Sequence, residues 1–181
     1  MYGELAAAEE NSEWIYELTN ITRPLFNVVK GGSISGLSFN LAKRNGDIGE
    51  IESAVLANTI SGRADLNNLQ FTNIKVTKAT KIDSNGAAYA AGIIASTMED
   101  VMSISNITIT NCEIEINNIS DALYIGAIAG KNNTTSISYV KINNVKVENL
   151  TITANSGISG ELNVGGMFGE TSGKYDFKNS Q

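Results

Sequence analysis

Acidic side chains are the groups in this sequence whose chemistry could support catalysis. Three of them, Asp47, Asp83 and Asp121, fall in polar stretches about once per 37 residues. Cleavage of a polysaccharide uses clustered carboxylates, often with a basic residue or a calcium ion nearby. A spacing of one loop aspartate per repeat does not supply such a cluster. The loop acids therefore predict no catalytic pair.

The remaining reactive groups exclude several further classes of site. The strand carboxylates are diluted by lysines, which indicates a solvated face; these residues are Glu113, Glu115, Glu148, Lys75 and Lys146. The chain has no histidine and one cysteine, so serine–histidine and cysteine–histidine catalysis and zinc sites built from these residues are excluded. We predict that the chain is not an enzyme and binds no cofactor or metal. A carbohydrate-active, pectin-lyase-like β-helix enzyme is the catalytic alternative.

Strands must position these groups, and the stretch SISNITITNCEIEINNIS (103–120) has the clearest strand pattern. Isoleucine alternates with polar residues, which is typical of a half-buried strand, but the alternation slips by one residue at Asn111. Asparagine and glycine adopt positive φ more readily than other residues. One such residue turns a strand and lets its side chains keep pointing inward. We therefore expect Cys112 to face the core as an unreactive thiol.

The same slip recurs along the chain. The aligned stretches are ISGLSF (34–39), FTNIKV (71–76), ITNCEI (109–114), INNVKV (142–147) and YDFKN (175–179). They place five predicted corner residues in one column: Gly36, Asn73, Asn111, Asn144 and Asn179. We expect the amides of this column to hydrogen-bond as a ladder. A second column of small residues ends short apolar segments: Asn27, Asn58, Ser96, Gly130 and Gly169.

Corners at fixed columns and a period of about 33–38 residues are typical of repeat architectures. The sequence predicts an all-β fold, a right-handed parallel β-helix of about four to five rungs. A β-sandwich is the alternative, although it would not align the corners. The repeats occupy residues 24–181 and stop within a rung, which predicts a piece of a longer chain with further rungs or domains. Residues 1–23 predict an N-terminal cap with a short helix, or else an irregular strand.

Loops of variable length fall at one place in each repeat. They span residues 42–50, 77–88, 117–122 and 153–161. In solenoids such insertions project from one face, and that face often binds a ligand. The predicted binding-loop residues are Lys43, Asp47, Lys81, Asp83, Asn85 and Asp121. The alternative is that the insertions are tolerated without a function, because lengthening a surface loop costs little free energy.

The charge balance limits the kinds of partner. A formal charge of −6 and the lack of basic clusters argue against nucleic acid. No apolar run approaches the roughly 20 residues of a membrane span, so we predict no membrane insertion. The opening MYGELAAAEENSEW has neither the basic start nor the apolar core of a secretory signal.

Three segments resemble the GLUG-motif repeats of bacterial surface proteins. They are VGGMFG (164–169), IGAIAG (125–130) and VKINNVKVENLTI (140–152). Such repeats occur in the non-catalytic N-terminal part of immunoglobulin-A-specific metalloproteases and in other adhesin-like proteins. The resemblance implies an extracellular or cell-surface location, and an adhesin-like binding module or stalk with a host protein or glycan as partner. The zinc motif of those proteases is missing from this sequence, so the resemblance transfers no catalytic residue.

Overall fold

The computed structural model describes residues 16–83, 88–135, 139–155 and 157–181, and this part of the chain is entirely strands, turns and loops. The predicted all-β class is confirmed, and the described residues contain no helix that could cross a membrane. The strands are β1 (Tyr16–Leu18), β2 (Phe26–Asn40), β3 (Gly49–Ile51), β4 (Ala57–Thr72), β5 (Ile74–Val76), β6 (Thr80–Lys81), β7 (Ala88–Gly92), β8 (Ala95–Glu99), β9 (Ser103–Ile116), β10 (Ala122–Gly126), β11 (Ala129–Asn133), β12 (Val140–Ala154), β13 (Leu162–Gly165), β14 (Phe168–Ser172) and β15 (Tyr175–Lys178).

The strands form a β-solenoid of about three turns, in which each strand lies on its equivalent from the preceding turn. The larger sheet has the order β14-β11-β8-β4-β9-β12-β15, with β1, β2, β3 and β5 joined to it. The smaller sheet has the order β13-β10-β7-β6. The pairings are parallel apart from the antiparallel pair β6–β7. The turn count roughly matches the predicted four to five rungs, and the right-handed sense stays a prediction.

Equivalent apolar residues stack inside the solenoid because alternate strand positions point inward on every turn. One inner column runs Ile34, Leu66, Ile104 and Ile142. A second runs Leu37, Leu69, Ile107 and Val145. In a third column the Phe39 and Phe71 rings stack with their centroids 5.0 Å apart. Turn-on-turn stacking of the same side-chain type thus builds the core.

The predicted single ladder of corner residues is wrong, because its five members belong to two columns. All five have positive φ. The first column, here the Asn106 corner, comprises Gly36, Asn68, Asn106, Asn144 and Asn179. The second, here the Asn111 corner, comprises Asn73, Asn111 and Asn149. The two corners lie five residues apart within a turn and have the same local pattern, so the sequence alignment interchanged them.

Amide hydrogen bonds link residues within each corner. Asn144 Nδ2 donates to Asn106 Oδ1 at 2.9 Å in the first corner. Asn149 Nδ2 donates to Asn111 Oδ1 at 3.0 Å in the second. Asparagine side chains therefore do hydrogen-bond between turns, as predicted. These bonds form two separate sets, one at each corner.

The second column predicted from the sequence keeps its register in the structure. Phe26 and Ala57 are paired, as are Val28 and Thr59, so Asn27 lies at the level of Asn58. The same register continues through β8, β11 and β14 to Gly169. Small residues are needed here because a Cβ atom on Gly130 would lie 2.3 Å from the carbonyl oxygen of Tyr124.

The predicted helical cap lies mostly outside the described residues, which begin at residue 16. Within the described part of the cap, Tyr16–Leu18 is a strand that pairs in parallel with β2. The alternative of an extra strand therefore holds for this part. Leu18 pairs with Phe39, so β1 covers the outer edge of the first turn at that column.

Candidate functional site

A polar groove of about 500 Å³ lies on the outer surface of the solenoid, beside the β6–β7 hairpin. Strands β4, β8 and β11 supply its base, and Ile82, Asp83 and Ala88 line one side. The lining residues are Thr59, Ile82, Asp83, Ala88, Thr97, Met98, Glu99, Lys131 and Asn133. Hydroxyl, amide, carboxylate and ammonium groups are thus combined in one depression.

An outward-facing column forms the base of the groove. Register pairs Thr59 with Thr97, Thr97 with Lys131, and Lys131 with Glu170. Thr97 Oγ1 donates to Thr59 Oγ1 at 3.1 Å. Each member directly follows a small-residue corner, and strand alternation turns Thr59 and Thr97 outward because the next residues, Ile60 and Met98, are buried. Two-residue bends, such as Ala127–Ile128, precede β8 and β11. They set the angle at which the strands of the larger sheet follow those of the smaller sheet.

Lys131 is held between two partners. Its Nζ lies 3.2 Å from a carboxylate oxygen of Glu170 and 4.7 Å from the centroid of the Tyr124 ring. Both ends of the ion pair are about one-third exposed, so its free energy is small, on the order of 1 kcal/mol or less. Burial raises the pKa of the Tyr124 phenol, and the Glu170 carboxylate adds to the increase. The lysine ammonium is therefore positioned, and Tyr124 stays neutral beneath it.

A second outward column borders the first. Glu99 and Asn133 pair in register, and Ser172 lies above Asn133 with a hydrogen bond between their side chains. The hydroxyl and amide groups of this column lie on adjacent strands, so they can donate hydrogen bonds to an extended polar ligand and accept hydrogen bonds from it. No cluster of three or more potential metal ligands occurs in the residues that the structure describes.

The predicted binding-loop residues are dispersed, and two of them lie at or near the groove. Asp83 lines it, and Lys81 is on β6 next to it. Lys43 and Asp47 belong to a separate turn closed by a hydrogen bond from the Lys43 N–H to the Asp47 carbonyl oxygen at 2.7 Å. Asp121 lies in the loop before β10, and Asn85 falls outside the described residues.

Sequence reasoning missed the base of the groove. Thr97, Glu99, Lys131 and Tyr124 were not among the predicted site residues. A signal was available, since Thr59, Thr97, Lys131 and Glu170 each follow a member of the small-residue column directly. The sequence alignment of the small-residue column was correct, so the polar residues that directly follow its members must lie on one outer face.

Comparison with known proteins gives no matching family model, no matching curated protein and no matching solved structure. Fold and groove therefore define the class of this chain as a β-solenoid with a polar surface groove. The resemblance to GLUG-motif repeats stays a prediction.

Proposed function

We propose that this chain is a non-catalytic β-solenoid segment of a bacterial cell-surface or secreted protein, acting as an adhesin-like binding module for a glycan. The observation that carries the proposal is the polar groove on the outer face. Its base is a column of side chains fixed by strand register, so its donors and acceptors are arranged before any ligand arrives. Preorganised polar groups of this kind reduce the entropy cost of binding.

The chemistry of the lining supports a neutral or weakly charged ligand rich in hydroxyl groups. Asp83 and Glu99 give the groove acidic character, and Lys131 is already paired with Glu170. A strongly anionic ligand would face these carboxylates on a chain of formal charge −6. Threonine hydroxyls and the Asn133 amide complement sugar hydroxyls without requiring a charge.

Two alternatives have specific support. Continuous core columns make the solenoid a stiff support, which is what a structural spacer without a ligand requires. Asp83 and Glu99 both line the groove, and two acids in one groove are the feature that supports the second alternative, a carbohydrate-active enzyme.

A glycan array followed by calorimetry would test the binding proposal. Thr97→Arg fills the base of the groove, and we expect it to reduce the affinity for the selected glycan at least tenfold. Thr151→Arg is the matched control, because Thr151 is an exposed strand threonine outside the groove. Absence of binding by the wild-type chain would favour the spacer. Turnover of a polysaccharide that is lost in Glu99→Gln would favour the enzyme.

A further inference from the structure

The outward columns at the groove continue beyond it on both sides. The first column takes one residue from each of the stacked strands β2, β4, β8, β11 and β14: Val28, Thr59, Thr97, Lys131 and Glu170. The second column has the same extent: Lys30, Ser61, Glu99, Asn133 and Ser172. None of these ten residues is buried. We call this surface the two-column face, and the groove occupies only its central part.

The two-column face is long across the strands and narrow along them. Each strand contributes two outward residues, because a small-residue corner precedes them and the chain turns again directly after them. The residues at this second bend include Gly31, Gly62, Asp100 and Gly173, which have positive φ. Two outward positions span about 7 Å along a strand, whereas five strands span about 19 Å across the sheet, since neighbouring strands lie about 4.8 Å apart. A long ligand therefore has to lie across the strands, along the axis of the solenoid.

Hydrogen-bonding side chains recur at every strand of the face. Thr97 Oγ1 donates to Thr59 Oγ1 at 3.1 Å, and the side chains of Asn133 and Ser172 are also hydrogen-bonded. These bonds hold the groups in place, while each hydroxyl and amide keeps a further donor or acceptor. One polar group for about every 4.8 Å fits a ligand built from repeating units of similar length.

The charges of the face cancel. Its charged residues are two lysines and two glutamates, namely Lys30, Lys131, Glu99 and Glu170. Lys131 and Glu170 form an ion pair, with a carboxylate oxygen 3.2 Å from the ammonium nitrogen. Val28, at the opposite end of the first column, is apolar and 47% exposed, so it can pack against the apolar face of a sugar ring. The face thus suits a neutral ligand that has both hydroxyl groups and apolar ring faces.

We propose that the two-column face binds an unbranched, neutral, β-1,4-linked oligosaccharide that lies across the strands from Val28 to Glu170. The face accommodates about five sugar units, one over each strand, because a sugar ring is comparable in length to the strand spacing. A β-1,4-linked chain is extended and follows a straight face, whereas an α-1,4-linked chain coils away from it. This inference rests on the proposed glycan binding, and it adds the length, shape and direction of the ligand.

The dependence of affinity on ligand length tests the proposal. The probes for calorimetry are monomers, dimers and pentamers of β-1,4-linked glucose, mannose, xylose and N-acetylglucosamine. For at least one sugar we expect the pentamer to bind at least about tenfold more tightly than the dimer, because the added units contact strands outside the groove. The α-1,4-linked glucose oligomers should show no such gain.

The outcomes separate this inference from the proposed function. Equal affinity for dimer and pentamer would overturn the inference alone. Binding of other glycans on the array, with none of these oligomers bound, would do the same. A chain that binds no glycan at all would overturn both.

Protein variants locate the two parts of the ligand. Val28 lies outside the groove, so Val28→Arg should weaken pentamer binding about tenfold and leave dimer binding unchanged. Thr97→Arg should weaken the binding of both, and Thr151→Arg, away from the face, should change neither. Lys30→Ala removes only an exposed side chain at the same end as Val28, so it repeats the test without a risk to folding; we expect a loss of about threefold for the pentamer alone. Unchanged pentamer binding in both Val28→Arg and Lys30→Ala would overturn the proposal, and so would equal losses for dimer and pentamer in Lys30→Ala.

Discussion

At the scale of single residues, asparagine at positive φ forms the corners at which the chain changes direction within each turn of the solenoid. Asn106, Asn111, Asn144 and Asn149 have φ between 52° and 54°. Most residues are strained there, whereas asparagine tolerates this region. The side chain then bonds to its equivalent on the next turn, so one residue type satisfies both the backbone and the ladder.

Asn111→Leu should destabilise the chain by about 1–3 kcal/mol, through strain at φ 52° and loss of the acceptor for Asn149. Asn111→Gly tolerates this φ and loses only the amide, so we expect a smaller cost. Urea unfolding of both variants measures the difference. Equal stability of Asn111→Leu and the wild type would contradict the ladder.

Cys112 is a second residue whose environment decides its chemistry. It is 1% exposed, and burial raises the pKa of its thiol from 9.0 to about 11. Hydrogen bonds to backbone groups of Ile74 and Thr110 oppose this increase but do not cancel it. The thiol is therefore protonated and inaccessible in the folded chain.

The Cys112 thiol predicts a loss of stability at alkaline pH. The folded-state pKa is raised, so the stability is fully present below pH 9.0 and is lost as the pH rises toward about 11. We expect the wild type to lose about 2–3 kcal/mol more than Cys112→Val over this interval. Unfolding curves of both proteins across the interval measure the difference. Parallel curves would show that the thiol does not have the raised pKa.

At the scale of elements, the tight bends between the two sheets set the shape of the groove. Each bend joins a strand of the smaller sheet to one of the larger sheet through two residues, as at Ala127–Ile128. Backbone segments approach so closely there that a Cβ atom on Gly126 would lie 2.5 Å from the Ala129 carbonyl oxygen. Because neither backbone can move without shifting a whole strand, the bend requires glycine.

Gly126→Ala should destabilise the chain by about 3 kcal/mol, because the added methyl group overlaps backbone atoms. Gly166→Ala is the matched control: a Cβ atom there meets nothing within 4 Å, and we expect a change within about 0.5 kcal/mol. Thermal and urea unfolding measure both. Equal effects would mean that the bend relaxes and does not determine the geometry of the groove.

At the scale of the whole molecule, stability is distributed along one axis. Each turn contacts its neighbours above and below, so among the described residues the middle turns are covered on both sides and the turn that contains β15 on one. Ile107 in β9 is fully buried, whereas Phe177 in β15 is 53% exposed. The free energy of local opening should therefore fall from β9 in the middle toward β15.

Hydrogen exchange should resolve this gradient. We expect amides of β9 to exchange at least about 100-fold more slowly than those of β15. Ile107→Ala should lower the global stability by about 2–5 kcal/mol, whereas Phe177→Ala should change only the exchange of amides in and near β15. Mass spectrometry of exchanged peptides measures both. Uniform protection would mean that the solenoid opens as one cooperative unit.

The sequence by itself determined the strand periodicity, the all-β class and the register of the small-residue column. These follow from local patterns: inward residues alternate along a strand, and bends require small side chains. The inward orientation of Cys112 followed in the same way, from one positive-φ residue at Asn111. Each of these inferences needs only neighbouring residues.

Only the tertiary structure decided which asparagines stack and where the groove lies. The Asn106 and Asn111 corners carry the same local pattern five residues apart, so neighbouring residues cannot distinguish them. Their register depends on the strand pairing of a whole turn. It also depends on how many residues each turn contains, including the inserted residues 41–48 that separate Asn40 from β3. Lys131 and Glu170 are 39 residues apart and meet only because of that register. The physical reason is that strand pairing between turns is a long-range choice, and local patterns leave it open.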